Sequence, residues 1–345
     1  MPFSLLALEN PLLDIQCNPT EELLQKYNLK ANDAILADAS HQTLYKEIVE
    51  NYKVNYVAGG AAQNTARGAQ YFLPPKSVIY IGCVSDDEFA ETMKKAAEAD
   101  GLTTNYEITK DAPTGTCAVL ITGHNRSLVA NLAAAEKLQA SFVQKPENWK
   151  LVEEAQNYYF GSFCITHDGG YESALAVSAH AAKNNKTFAL NLSAPFLSQF
   201  FKERLDAVIK NTDILFGNED EARTYANQMN WGTQDVEEIA KKLSQLEKSN
   251  DKPRLVVITQ GAESTVTAVG NSSHVYPVIK VAESEIVDTN GCGDGFCGGF
   301  MGLYTQGVQD PARCVQAGHY LANLVIKSIG PSYPPMAERT NIPSF

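Results

Sequence analysis

Asp288–Phe300 reads DTNGCGDGFCGGF, and Phe300, Met301 and Tyr304 continue it at helical spacing. A glycine-rich turn therefore runs into a helix. Gly291 and Gly293 can take backbone angles that a side chain resists, leaving successive N–H groups pointed into one concavity at a helix amino terminus. Such a concavity favours an anion, including the charge that develops on a transferring phosphoryl group. Asp294 sits at its mouth. Beside a helix amino terminus its carboxylate is expected to have a depressed pKa and stay ionised, either as the base for an incoming hydroxyl or simply as the cap of the first turn. Other phosphate motifs fail: no glycine loop ends in Gly-Lys-Ser/Thr, and Phe296 stands where a dinucleotide fingerprint needs its third glycine. There is no paired-histidine metal motif and no serine nucleophile elbow.

Ahead of this segment, short β-type runs alternate with helical patterns. Phe3–Leu8, Ser77–Ile81, Asn157–Phe160, Thr187–Leu190, Asp213–Phe216 and Arg254–Thr259 read as buried strands, while Tyr171–Ala182 and Val236–Leu246 repeat their apolar residues every three or four positions. The pattern predicts an α/β fold, a doubly wound, mostly parallel sheet with helices on both faces, forming one domain over residues 1–345. Residues 14–57 and 105–135 break the rhythm with short extended pieces and a turn near Gly123. We read them as a small inserted lid subdomain over a cleft, or else as an ordinary edge hairpin. The proline-rich stretch 331–345 reads as an extended tail.

Composition narrows the function classes. At 345 residues the chain can bury a large core, and its net charge of −12 disfavours nucleic acid or an acidic membrane surface as partner. No stretch is apolar enough to span a bilayer, and the amino terminus lacks a basic region before its apolar run. Seven scattered cysteines, at 17, 83, 117, 164, 292, 297 and 314, argue for reduced thiols. A cytoplasmic protein is expected.

The signature resembles that of the ribokinase-like (PfkB) kinase family. The similarity extends through ENPLLD (Glu9–Asp14), AGGAAQN (Ala58–Asn64), PTGTCAVLITG (Pro113–Gly123), NRSLVANLAAA (Asn125–Ala135), NLSAPFLSQFF (Asn191–Phe201), FGNEDEA (Phe216–Ala222) and ITQG (Ile258–Gly261). It covers nearly the whole chain and is to members that phosphorylate adenosine. The resemblance implies transfer of the ATP γ-phosphoryl group to the 5′-hydroxyl of adenosine, a purine-salvage reaction requiring Mg²⁺, by a monomer. A kinase for another nucleoside or sugar, or a nucleotide-binding protein impaired in catalysis, remains open at this point.

By the same resemblance Asp294 is the base, the amides of Gly291, Cys292 and Gly293 form the anion hole, and Arg126 closes on the phosphoryl group from the lid. A solvated turn arginine is the plainer reading of Arg126. Asp14, with Asn10, Gly60, Ala61 and Asn64, is implied at the ribose, and a carboxylate suits a cis-diol. Leu36, Cys117, Leu128, Ala130, Leu132 and Phe163, with Phe196 as a weaker candidate, are implied as apolar walls around the adenine, although each alone is more often core. Asn218 and Glu221 are implied near the phosphates, with Glu221 touching Mg²⁺ through water. Thr259, Gly261, Asn290, His319 and Asn323 are implied at ATP. Three departures stand out. Ala61 replaces a serine common in relatives, Cys292 and Gly295 replace alanines of the signature, and His124 replaces an aspartate near the lid arginine. Gly295 is expected to loosen the first helical turn by up to about 1 kcal/mol relative to alanine. Cys292, at a helix amino terminus, is expected to be acidic and oxidant-sensitive.

Overall fold

The computed structural model describes residues 2–30, 34–123, 125–335, 338–339 and 342–345; the side chains of Asn125 and Arg126 lie outside the described set, as does His124. In chain order the strands begin with β1 (Leu5–Leu8), β2 (Leu12–Cys17), β3 (Ala34–Leu36), β4 (Asn55–Gly59), β5 (Val78–Ser85), β6 (Thr103–Thr109) and β7 (Thr116–Thr122). They continue with β8 (Asn125–Asn131), β9 (Asn157–Gly161), β10 (Thr187–Asn191), β11 (Ile214–Asn218), β12 (Leu255–Gln260), β13 (Glu263–Val269) and β14 (Ser272–Tyr276).

Two sheets result. The larger runs β14-β13-β12-β11-β10-β9-β1-β5-β6, parallel from β12 through to β6 and closed by the antiparallel β12-β13-β14 edge. Alternation along β1 sorts its side chains onto two faces. Leu6 and Leu8 join a core with helical residues Ala174, Val177, Leu205 and Ile239. Leu5 and Ala7 join another, with Ala62 and Ala66 of the helix Ala61–Tyr71, Phe300 and Met301 of the helix Cys292–Tyr304, and Ala317 of the helix Pro311–Val325. This is the doubly wound α/β arrangement expected.

The smaller sheet runs β3-β8-β7-β2-β4. One of its faces packs Ile15, Ala118, Leu120 and Val129 against Leu44 and Ile48 of the helix Leu44–Asn51. The other carries Leu12, Cys117, Leu128, Ala130 and Leu132 and roofs a cavity. The sheet lies where the inserted subdomain was expected, and two boundaries differ: β6 belongs to the large sheet, where it pairs with β5, so residues 105–109 lie outside the small sheet. The small sheet also begins at Leu12, because β2 follows β1 after only three residues.

Those three residues, Glu9, Asn10 and Pro11, form one junction between body and lid. The return junction is Gly60, at φ +90°, where a Cβ would stand 2.6 Å from the Asn10 carbonyl oxygen. Only glycine fits that crossing. The tail packs on the body: Tyr333 donates its hydroxyl to the Asn64 carbonyl at 2.9 Å, and Arg339 reaches Asp100, which also pairs with Arg67.

Candidate active site

The helix Cys292–Tyr304 starts from Gly291, whose φ of +77° makes it a left-handed amino-terminal cap. The first-turn amides have no partner within the helix. The Cys292 N–H turns back onto the Thr289 carbonyl at 3.3 Å, so the open part of the expected anion hole begins at Gly293. A Cβ placed on Gly293 would meet nothing within 4 Å, and the tip faces open space.

Three cavities meet at this tip. The first, about 690 Å³ including its open mouth, lies between body and lid. Asp14, Asn64 and Asp294 lie on its polar side with Asn10, Gly60 and Ala61; Leu36, Cys117, Leu128, Ala130, Leu132, Phe163 and Phe196 make its apolar wall. The rings of Phe163 and Phe196 stand 6.0 Å apart. The second, about 1270 Å³ measured the same way, is bordered by Thr259, Gly261, Cys292, Gly293, His319 and Asn323. A third connects them past Asn218, Glu221, Thr259, Gly293 and Asp294. Asn290 was expected on the ATP side, but it borders the first cavity beside Asp14, whose carboxyl pKa it lowers. Arg126 pairs through its backbone with Ile121 in the β7–β8 hairpin, and its side chain lies outside the described residues.

Electrostatics departs from expectation at the tip. The Asp294 carboxyl is pushed up to about 7, because burial outweighs the lowering by the Asn64 amide, which donates to it at 3.0 Å. Asp14, in β2, is likewise pushed up to about 7 by burial and then by the charge of Asp294. Glu221 also rises to about 7 through burial. Its carboxylate accepts from the Asn218 backbone N–H and side-chain amide, both at 2.9 Å, while Asn218 Oδ1 accepts the Glu221 N–H at 2.8 Å. The pair is a reciprocal cap on the helix Glu219–Gln228.

Two expectations about the signature change. Burial and the carboxylates of Asp288 and Asp294 push the Cys292 thiol up to about 12, which makes it inert rather than acidic. Gly295 has a packing reason, since a Cβ there would stand 3.0 Å from Val325 Cγ2. His319 is engaged structurally: its Nε2 shares a 2.8 Å hydrogen bond with Thr265 Oγ1.

Sequence reasoning missed Glu9 and His167. Glu9 accepts the Ala62 N–H at 2.9 Å and the Phe163 N–H at 3.2 Å, and burial followed by the charge of Asp294 pushes its carboxyl up to about 8. A lone acid closing the apolar run Leu5–Leu8 was the available signal. His167 gave none, because its partner Asn10 lies 157 residues away.

Comparison with known proteins follows the same lines. The family described as pfkB family carbohydrate kinase matches residues 21–338. The chain is 46% identical over 336 residues to the adenosine kinase of Schizophyllum commune, covering 96% of this chain and 97% of that one. Its structure is similar to Anopheles gambiae adenosine kinase in complex with a di(adenosine-5) tetraphosphate, at 38% identity and a TM-score of 0.93 over 100% of both chains. It is also similar to the Schistosoma mansoni adenosine kinase in complex with 2-fluoroadenosine, at 34% identity and a TM-score of 0.92 over 97% of this chain and 98% of that one.

Proposed function

Because this chain belongs to the PfkB family of carbohydrate kinases, we propose that it transfers the γ-phosphoryl group of ATP to the 5′-hydroxyl of adenosine, giving AMP and ADP. The observation that carries the reading is the position of Asp294, which borders both a nucleoside-sized, apolar-walled cavity and the space leading past Gly293 to the second cavity.

In the proposed mechanism Asp14 accepts from the ribose hydroxyls while the Phe163 and Phe196 rings flank the base. The buried Asn64 Oδ1, which has no partner among the described residues, is available to a further substrate hydroxyl. Asp294 takes the 5′-hydroxyl proton as the oxygen attacks the γ-phosphorus, and the first-turn amides offset charge on the equatorial oxygens. Arg126 is proposed from its motif to add positive charge from the lid; Arg126→Ala is expected to lower kcat by about 10²-fold or more in steady-state assays.

The family reaction uses ATP with a divalent metal. Both oxygens of Glu221 already accept hydrogen bonds, and among the described residues no group of three or more His, Cys, Asp or Glu could hold an ion. That donor set fits a hydrated cation brought by the nucleotide and met through water, which we propose to be Mg²⁺. When bound, such a cation offsets charge on the phosphate oxygens.

We further propose a cytoplasmic monomer with small-molecule partners alone. Seven free thiols and a charge of −12 support the cytoplasmic placement and small-molecule partners, and the monomer is proposed from the family resemblance; among the described residues no helix is long and apolar enough to cross a membrane. The testing experiment is a turnover comparison on adenosine, guanosine, inosine and ribose with ATP and Mg²⁺. Adenosine is expected to give the highest kcat/KM, and a preference for ribose would refute the assignment.

A further inference from the structure

We propose that His167 is a positioning residue for nucleoside recognition, locking the Asn10 carboxamide so that an N–H of Asn10 faces the nucleoside cavity and selects a substrate with an acceptor there. The inference rests on the adenosine reading of the same site. It starts from a backbone donor of fixed polarity: the Gly170 N–H, in the first turn of the helix Asp168–Lys183, donates to His167 Nδ1 at 3.1 Å. Nδ1 is therefore unprotonated. Burial holds the imidazole down at about 4, so near neutral pH the ring carries its one proton on Nε2. That nitrogen lies 3.0 Å from Asn10 Oδ1 and must donate to it.

The amide orientation of Asn10 follows. With Oδ1 taken by His167, Nδ2 donates to the Phe163 carbonyl at 3.2 Å, and both partners require the same orientation. Reversing the amide would set its oxygen against the Phe163 oxygen and its N–H against the His167 N–H. Asn10 is 3% exposed, so no bulk water would relieve either conflict. The second hydrogen on Nδ2 remains for a ligand, and Asn10 borders the nucleoside cavity. A helix cap on the body thus sets hydrogen-bond polarity at the body–lid junction.

The test measures adenosine affinity by calorimetry, together with steady-state kinetics, for the unaltered chain, His167→Ala, His167→Gln and Asn10→Asp. The Gln side chain can present an N–H to Asn10 while its oxygen accepts from Gly170. His167→Ala is expected to raise the adenosine Kd and KM about five- to tenfold, with kcat changed less than about twofold and the KM for ATP unchanged. His167→Gln should recover most of that loss. Asn10→Asp, which keeps an acceptor for His167 but removes the donor, should weaken adenosine more than His167→Ala does. Unchanged adenosine affinity in His167→Ala, no recovery in His167→Gln, or an Asn10→Asp chain that binds as well as the unaltered one overturns the proposal. An unaltered chain that binds adenosine without phosphorylating it contradicts the kinase reading, while the affinity comparison still decides the role of His167.

Discussion

Asp294 carries two opposing influences, and their balance sets the pH at which the site works. The partial positive charge of a helix tip stabilises a carboxylate, yet the half-buried group is partly desolvated and sits near Asp14 and Glu9. Desolvation wins, and the carboxyl rises to about 7. A base must be ionised, so kcat/KM for adenosine is expected to climb about tenfold per pH unit below a midpoint near pH 7 and level off above it. A pH–rate profile from pH 5 to 9 checks this, and a midpoint near 4 would mean that the helix tip prevails after all. Neither outcome was readable in DTNGCGDGFCGGF, because burial depends on what the lid and the helix Ala61–Tyr71 place over the tip. The identity of the walls was more legible. Cys117, Leu128, Ala130, Leu132 and Phe196 stand in the stretches that carry the family resemblance, whereas Leu36 and Phe163 stand in none of them; the structure puts Leu36, Cys117, Leu128, Ala130 and Leu132 on a single face of one small sheet.

Between elements, the decisive contact is that of the helices Ala61–Tyr71 and Cys292–Tyr304. They approach so closely that a Cβ on Gly298 would stand 2.8 Å from Gly68 Cα and 2.9 Å from the Thr65 carbonyl oxygen, with no flexible side chain to give way. Gly298→Ala is expected to cost about 1–3 kcal/mol, read as a lower denaturation midpoint. It should also lower kcat, because Asn64 on one helix holds Asp294 on the other. Buried strands such as β9, β10 and β12 were legible in the sequence, since short apolar runs between helical patterns leave little choice. β6 was not. Thr103–Thr109 is the edge strand of the large sheet, its residues half-buried or exposed, so its mixed polarity matches that of a lid strand and only its pairing with β5 separates the two. Glu9 illustrates the same limit, because what makes it structural is the pair of amides, Ala62 and Phe163, brought to it from distant parts of the chain.

At the scale of the whole molecule, the carboxyls of buried Glu9, Asp14 and Glu221 and of half-buried Asp294 share raised pKa values of about 7 to 8. An acid whose folded pKa exceeds its unfolded value binds more protons folded than unfolded between the two, so it favours the fold at low pH and that contribution disappears as pH rises through the folded value. The ligand-free protein is therefore expected to lose stability between about pH 4 and pH 8, and Glu9→Gln should flatten part of that slope in thermal melts. Melts that instead gain stability steadily over this range would contradict the burial assigned to these groups. The concentration of acid groups where an anionic nucleotide is expected has a functional sense: positive charge must come from outside the cluster, through backbone amides, a cation accompanying ATP and the lid.

The central claim is that one acid at one helix tip activates a nucleoside hydroxyl between two substrate cavities. Its most direct test is AMP formation from adenosine, ATP and Mg²⁺ by the purified chain and by Asp294→Asn, with adenosine affinity measured on both. The account predicts robust turnover by the unaltered chain and a fall of about 10²- to 10⁴-fold in kcat for Asp294→Asn, with adenosine Kd held within about threefold. Equal turnover by the two proteins, or none by either, would contradict it.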